Sequence, residues 1–302
     1  MKNRLLLIGL IVLPMMVQAQ HNLELGLRGG VAGWSSGTNY VAGTPGLHAG
    51  IEAAYTFRSP YVVGFRIGLT ADRHACGFGK AGYEDSYQTI DVENEVMQVD
   101  YTIGQLNEQY TIWSVGIPLQ LVFAWEQVRL ALGPKVVCPL SCTWSEHVRN
   151  AELSVYYPLY DNRVYEAYPL AASRNFSMDN DGTLQLPKVQ VWGALEGCYT
   201  IPLDNDSRKF SSSIVVGVYV DYCFTRYTPD RSDAISLIML TDTRDGFPLQ
   251  RVLTPVMIAN RQGRPLVANC ALFDAGIKIA YAFSSSTSSR RTSQSCHCFG
   301  VW

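Results

Sequence analysis

AGIEAAYTFRSPYVVGFRIGL, residues 49–69, divides into two runs of period two around Arg58-Ser59-Pro60. Ile51, Ala53, Tyr55 and Phe57 share one parity; Gly50, Glu52, Ala54 and Thr56 share the other. Past the break, Tyr61, Val63, Phe65, Ile67 and Leu69 alternate with Val62, Gly64, Arg66 and Gly68. Period two is a strand signature, so the stretch predicts a β-hairpin. A turn centred on Ser59 puts Phe57 opposite Tyr61 and Glu52 opposite Arg66, an acid facing a base on the small-residue side. One face is apolar throughout, and the other is small or charged.

Six further lengths of chain define the context. With the two runs above, the alternating segments are 23–34, 46–57, 61–72, 110–125, 128–144, 189–201, 212–226 and 270–283. Each exceeds the roughly 9–11 residues a tilted strand needs to cross a bilayer and the about 5–6 usual in soluble sheets. Links at 58–60, 126–127 and 202–211 are tight, whereas 35–45, 73–109, 145–188 and 227–269 are longer. Short turns on one side and long loops on the other predict an all-β fold: an eight-stranded, antiparallel, up-and-down transmembrane β-barrel with long extracellular loops. Thr89–Glu93 with Val96–Asp100, and 235–241 with 251–258 around Asp245-Gly246, read as hairpins continuing the wall past the membrane. A ten-stranded barrel using the second pair is the lesser alternative.

Composition agrees. Charged residues make up 17% of the 302 positions, below the roughly 25% of soluble domains, and Gly (25) and Tyr (17) are frequent. A net charge of −2 offers no basic field for nucleic acid. Lys2 and Arg4, the apolar run Leu5–Leu13, and Val17-Gln18-Ala19 before Gln20 form an export signal over 1–19. The barrel is expected over 20–283, followed by a Ser-rich periplasmic tail over 284–302.

The lipid-facing parity includes Leu23, Leu25, Leu27 and Val31; Trp113 through Trp125; Ile214 through Phe224; and Phe273 through Phe283, with no charge among them. The opposite parity gathers Glu24, Arg28, Glu52, Arg66, Arg129, Lys135, Glu196, Asp221, Asp274 and Lys278, five acids and five bases. Eight strands leave an interior that side chains fill, and isolated buried charges are costly. These residues are therefore expected to form an ionic plug. A soluble, calycin-like barrel with inverted faces is the alternative; its outer surface would be poor in charge.

Catalysis finds little support, because no serine or cysteine has a histidine at informative spacing. His48, His74 and His147 read as rim histidines near the long loops. Cys138 and Cys142 share a lipid-facing parity too far apart to bond, and Cys198 and Cys223 should not meet across their hairpin. Cys296-His297-Cys298 lacks further metal ligands. No catalytic, cofactor-binding or metal-binding residues are expected. The loop 73–109 is acidic, with seven acids and two bases, and YYPLYDNRVYEAYP at 156–169 carries Tyr156, Tyr157, Tyr160, Tyr165 and Tyr168. Tyrosine-rich surface suits contact with a protein or surface ligand.

Val17-Gln18-Ala19-Gln20, Leu25-Gly26-Leu27-Arg28-Gly29-Gly30 and Ile277-Lys278-Ile279-Ala280-Tyr281-Ala282-Phe283 together resemble the small outer-membrane β-barrel domain family of PorT-like proteins, without a peptidoglycan-binding domain. The resemblance covers roughly 22–283. It implies an outer-membrane location, contact with outer-membrane lipids and insertion by the barrel-assembly machinery. Phe283 is not the chain end and three external loops are unusually long, both departures from the family pattern. The function so indicated is a structural or surface-interaction protein; a narrow solute channel, or a lipid-modifying enzyme, is the alternative.

Overall fold

A computed structural model describes residues 20–36, 40–58, 63–91, 93–165, 172–203, 210–227, 236–241, 250–262 and 264–285. The export signal, the tail with Cys296-His297-Cys298, and Tyr168 lie outside these residues. Fourteen strands are present among them: β1 (Gln20–Ser35), β2 (Ala42–Arg58), β3 (Val63–Ile90), β4 (Val96–Trp125), β5 (Val128–Tyr157), β6 (Asn162–Val164), β7 (Ser173–Thr183), β8 (Gln190–Pro202), β9 (Phe210–Cys223), β10 (Ile238–Thr241), β11 (Gln250–Leu253), β12 (Asn260–Arg261), β13 (Arg264–Pro265) and β14 (Ala271–Ser285).

Eight of these close a ring. β1 pairs with β2, β2 with β3, β3 with β4, β4 with β5, β5 with β8, β8 with β9, β9 with β14, and β14 returns to β1, all antiparallel. Closure leaves no unpaired edge around the wall, the condition a sheet must meet in lipid. The alternation seen in sequence becomes an outside and an inside. Leu27 (66% exposed), Ile51 (60%), Val218 (62%) and Ile277 (61%) point out, while Glu24, Arg66, Lys135 and Lys278 are buried.

On β4 the outward band runs from Trp125 and Phe123, stacked on each other, up to Trp113. At about 3.4 Å per residue and the usual tilt, those twelve steps rise about 30 Å, a bilayer's apolar thickness with its flanking aromatics. Tyr55 with Phe57, and Tyr281 with Phe283, continue the lower ring of aromatics on neighbouring strands.

Three strands do not stop there. β3, β4 and β5 run 28, 30 and 30 residues, about twice the span. Their upper halves enclose a second, apolar core that the sequence segments did not anticipate. Trp34, Phe78 and Tyr110 pack ring to ring at its base, with centroids 6.1–6.3 Å apart. Met97, Val99, Ile103 and Leu106 meet Leu237, Ile238, Val256, Met257 and Leu266 from the connection between β9 and β14. That connection therefore folds inward as a cap. Tyr101 and Tyr87 tie it down: the Tyr101 hydroxyl meets Ser236 Oγ at 2.7 Å, and the Leu240 amide donates to Tyr87 at 2.8 Å.

Three sequence expectations change and one holds. The β2–β3 register pairs Phe57 with Phe65 and Glu52 with Thr70, so Glu52 and Arg66 do not oppose each other; the turn lies further along the chain than Ser59. The shift is even, so both keep the inward parity. The 89–100 hairpin extends the wall as expected, turning at Asn94 with φ 65°. The second hairpin exists as β10–β11, but it forms its own two-stranded sheet within the cap instead of lengthening the wall. Finally, a register shift opposite Trp113 and Ser114, near Pro139, switches parity along β5. Cys138 stays outward, whereas Cys142 is buried with Trp144 and Glu146.

Candidate functional site

The barrel interior is layered by charge. In the lower layer Glu24, Glu52 and Glu196 meet Arg66, Arg129 and Lys278. Arg66 reaches Glu52 on the neighbouring strand, Glu196 at 3.2 Å and the Gln120 carbonyl at 2.6 Å. Arg129 grips Glu24 and lies 3.1 Å from Glu196, while Lys278 lies 3.0 Å from Glu52 and 2.9 Å from Glu196. Three acids thus face three bases.

In the upper layer Lys135 joins Asp72 (2.9 Å) and Asp221 (3.0 Å), and Arg28 pairs with Asp221 at 2.8 Å while lying 3.9 Å over the Tyr219 ring. Gly116 makes the space for this: a Cβ there would stand 2.7 Å from Lys135 Cε. Asp274 is buried here too, but its contact is with His74, at 3.5 Å. All ten inward charges named from the sequence therefore lie inside the barrel.

The sequence reading missed three partners. Asp72 shares the inward parity yet fell at the end of its segment, where a loop was expected. His48 and His74, expected at the rim, are buried inside instead, facing each other across β2 and β3. His48 contacts the Tyr219 hydroxyl and, at 3.2 Å, Asp72. The lengthening of β3 beyond residue 72 moved both histidines from rim to lumen. Of the three rim histidines expected, His147 alone is at the surface, 2.8 Å from Asp179.

Above the bilayer two features stand out. The first is a polar recess of about 450 Å³ bordered by Glu84, Asp85, Asp100, Glu152, Arg163 and Arg261. Arg163 closes one side by pairing with Asp100 at 2.5 Å. The second is the tip, where the β3–β4 turn is joined to the end of β5. Tyr157 donates to Asp91 at 3.2 Å and Tyr160 donates to Glu95. Ile90, Val96, Leu159 and Tyr160 are all more than half exposed around that joint, and Tyr165 is 43% exposed. Tyr156 and Tyr157 are half-buried, Tyr156 donating to Asp161 at 2.8 Å. A hollow of about 580 Å³ between Leu27, Ile51 and Ile279 lies on the outer wall within the apolar band, a surface for acyl chains.

Among the described residues Cys76, Cys138, Cys142, Cys198, Cys223 and Cys270 form no disulfide. Cys198 faces Gly217 and Cys223 faces Trp192 in the β8–β9 register, which keeps the two apart.

Solved structures of several bacterial surface and outer-membrane proteins align with the chain at low scores. Neisserial surface protein A aligns over 88% of this chain and 96% of its own, with 9% identity and a TM-score of 0.30. Ail of Yersinia pestis, solved with the heparin analogue sucrose octasulfate, aligns over 88% and 99% with 9% identity and a TM-score of 0.25. The outer-membrane protease OmpT of Escherichia coli aligns over 89% and 96%, with 7% identity and a TM-score of 0.25. At such scores the likeness carries no argument about activity. No protein-family model matches the chain, the PorT-like family included, and no curated protein matches it.

Proposed function

We propose that this chain is an exported outer-membrane barrel of Gram-negative bacteria that acts, without catalysis, as a surface-contact protein through its extracellular extension. The observation that carries the reading is the division of the molecule above and below Trp113. Below, an uncharged outer wall encloses a plug of ion pairs; above, three strands rise another span's length and end in exposed aliphatic and aromatic side chains. Apolar anchors rimmed by Asp91, Glu93 and Glu95 have the make-up of a protein-contact patch. Export through the 1–19 signal and insertion by the barrel-assembly machinery belong to the same proposal.

The plug and the apolar cap argue against a solute channel, because the lumen is filled by its own side chains. The buried His48–Asp72 pair argues against a lipid-modifying enzyme, since no substrate reaches a group enclosed by wall and cap.

A photo-cross-linking residue placed at Leu159 or Tyr160 in intact cells tests the contact. A discrete adduct at these positions, absent when the same group replaces Leu27 on the lipid face, is expected. Equal labelling at tip and wall, or none at either, refutes a dedicated contact surface. Purified protein should also show no conductance in planar bilayers.

A further inference from the structure

Among the described residues, the two ionic layers below the cap hold one more acid than permanent cations. Glu24, Glu52, Glu196, Asp72, Asp221 and Asp274 are six; Arg28, Arg66, Arg129, Lys135 and Lys278 are five, and every one is buried. The lower layer balances, so the surplus lies in the upper one. Asp72 and Asp221 each bond to Lys135, and Arg28 donates to Asp221, whereas both carboxylate oxygens of Asp274 lack a hydrogen-bond partner. A buried carboxylate without compensation is strongly unfavourable. Asp274 is therefore either held as the neutral acid or matched by a positive charge beside it.

What stands beside it is a pair of imidazoles. His48 and His74 face each other across β2–β3, with ring centroids 4.7 Å apart and rings inclined by 25°. His74 Nδ1 is buried, has no hydrogen-bond partner and lies 3.5 Å from Asp274 Oδ2. One ligating atom each from His48, His74 and Asp274 lie within 4.8 Å of one another. A single protonated imidazole would balance the charge, but it would leave the second, stacked imidazole unexplained. Three convergent donors from three strands explain both.

We propose that His48, His74 and Asp274 bind one divalent transition-metal ion of the zinc class inside the barrel. Two imidazoles and a carboxylate are a regular donor set for such an ion, which needs atoms about 2.0–2.2 Å from its centre and so a small inward movement of the three side chains. The surroundings suit ligation. Asp72 bonds His48 Nε2, the role carboxylates play behind metal-bound imidazoles, which leaves Nδ1 as the ligating nitrogen once the ion displaces its contact with the Tyr219 hydroxyl. Trp192 packs on the His74 ring at 5.8 Å and limits its rotation. The ion joins β2, β3 and β14 at the level where the plug gives way to the apolar cap. Because wall, plug and cap enclose the position, the ion enters while the barrel is still closing.

The test is refolding of the urea-unfolded chain into detergent micelles with equimolar Zn²⁺ or with chelator, followed by chelator washing. Metal per chain is then read by mass spectrometry, and the folded fraction by heat-modifiable gel mobility. The wild-type chain should retain about one zinc. Asp274→Asn should fold with or without zinc, since it removes the surplus charge, and should retain almost none; His74→Gln should also lose the metal. A folded wild-type barrel without zinc overturns the proposal and leaves a neutral Asp274 or a protonated imidazole in its place. Zinc retained undiminished in folded Asp274→Asn also overturns it, placing the metal on the thiols or elsewhere.

Discussion

The cap should loosen as pH rises, and Glu108→Gln should resist that change. Glu108 on β4 lies five residues above Trp113, outside the membrane band, and directly opposite Glu146 on β5. Both carboxyls are fully buried. The Val256 amide donates to Glu108 Oε2 at 2.7 Å, while Glu108 Oε1 and both Glu146 oxygens have no hydrogen-bond partner. Burial pushes the Glu108 carboxyl up to about 8. Burial, then the neighbouring charge of Glu108, push Glu146 well above the ordinary carboxylate range. A folded-state value above the unfolded one means the folded state holds the extra proton. The stabilisation is complete below the ordinary carboxylate pKa and is lost as pH rises towards 8. At about 1.4 kcal/mol per pH unit, Glu108 alone removes about 3 kcal/mol between about pH 5 and pH 7. Val256 sits in the cap, so the loss appears there first. Amide hydrogen exchange over 250–262, corrected for intrinsic rates, should show protection falling roughly 100-fold across that interval from Glu108 alone, and further with the share of Glu146. Glu108→Gln should remove about half of the fall, and Glu108→Gln with Glu146→Gln nearly all of it. Protection that stays constant in the wild-type cap, or an undiminished fall in the double variant, would refute the reasoning.

Three further outcomes are expected. Arg66→Met leaves three acids facing two bases in the lower layer and should destabilise the barrel by about 3–5 kcal/mol, read as a lower urea midpoint of the heat-modifiable band. Gly116→Ala drives a Cβ against Lys135 Cε and Thr70 Oγ1, and should lower the same midpoint by about 1–3 kcal/mol; an unchanged midpoint would show that Lys135 has room to move. Val218→Arg places a charge on the lipid face in the middle of β9 and should reduce folding into bilayers by about 2–4 kcal/mol, with a smaller loss at the strand end, at Phe283→Arg.

Parity was the part of this protein that its sequence determined alone. A strand has a side-chain period of two, so Leu23 to Val31 or Ile214 to Phe224 identify a face without any knowledge of neighbours. The same rule drew Glu24, Arg66, Lys278 and the other inward charges together. Even the wrong pairing of Glu52 with Arg66 left both on the correct side, because the register error was an even number of residues. Where the period breaks, the sequence loses its hold. The register shift beside Pro139 reversed Cys142, and the uninterrupted pairing of β3 past residue 72 turned an expected loop, with His74 at its start, into lumen wall. The inward packing of Leu237, Ile238, Leu253, Val256, Met257 and Leu266 depends on apolar surface that the long strands create above the membrane, which no local pattern records. Partner choice was likewise decided by tertiary structure. Arg66, Glu52 and Glu196 come from β3, β2 and β8, and Asp274, His48 and His74 from β14, β2 and β3. Local alternation says which side of the wall a charge occupies; which charge it meets depends on how the barrel closes.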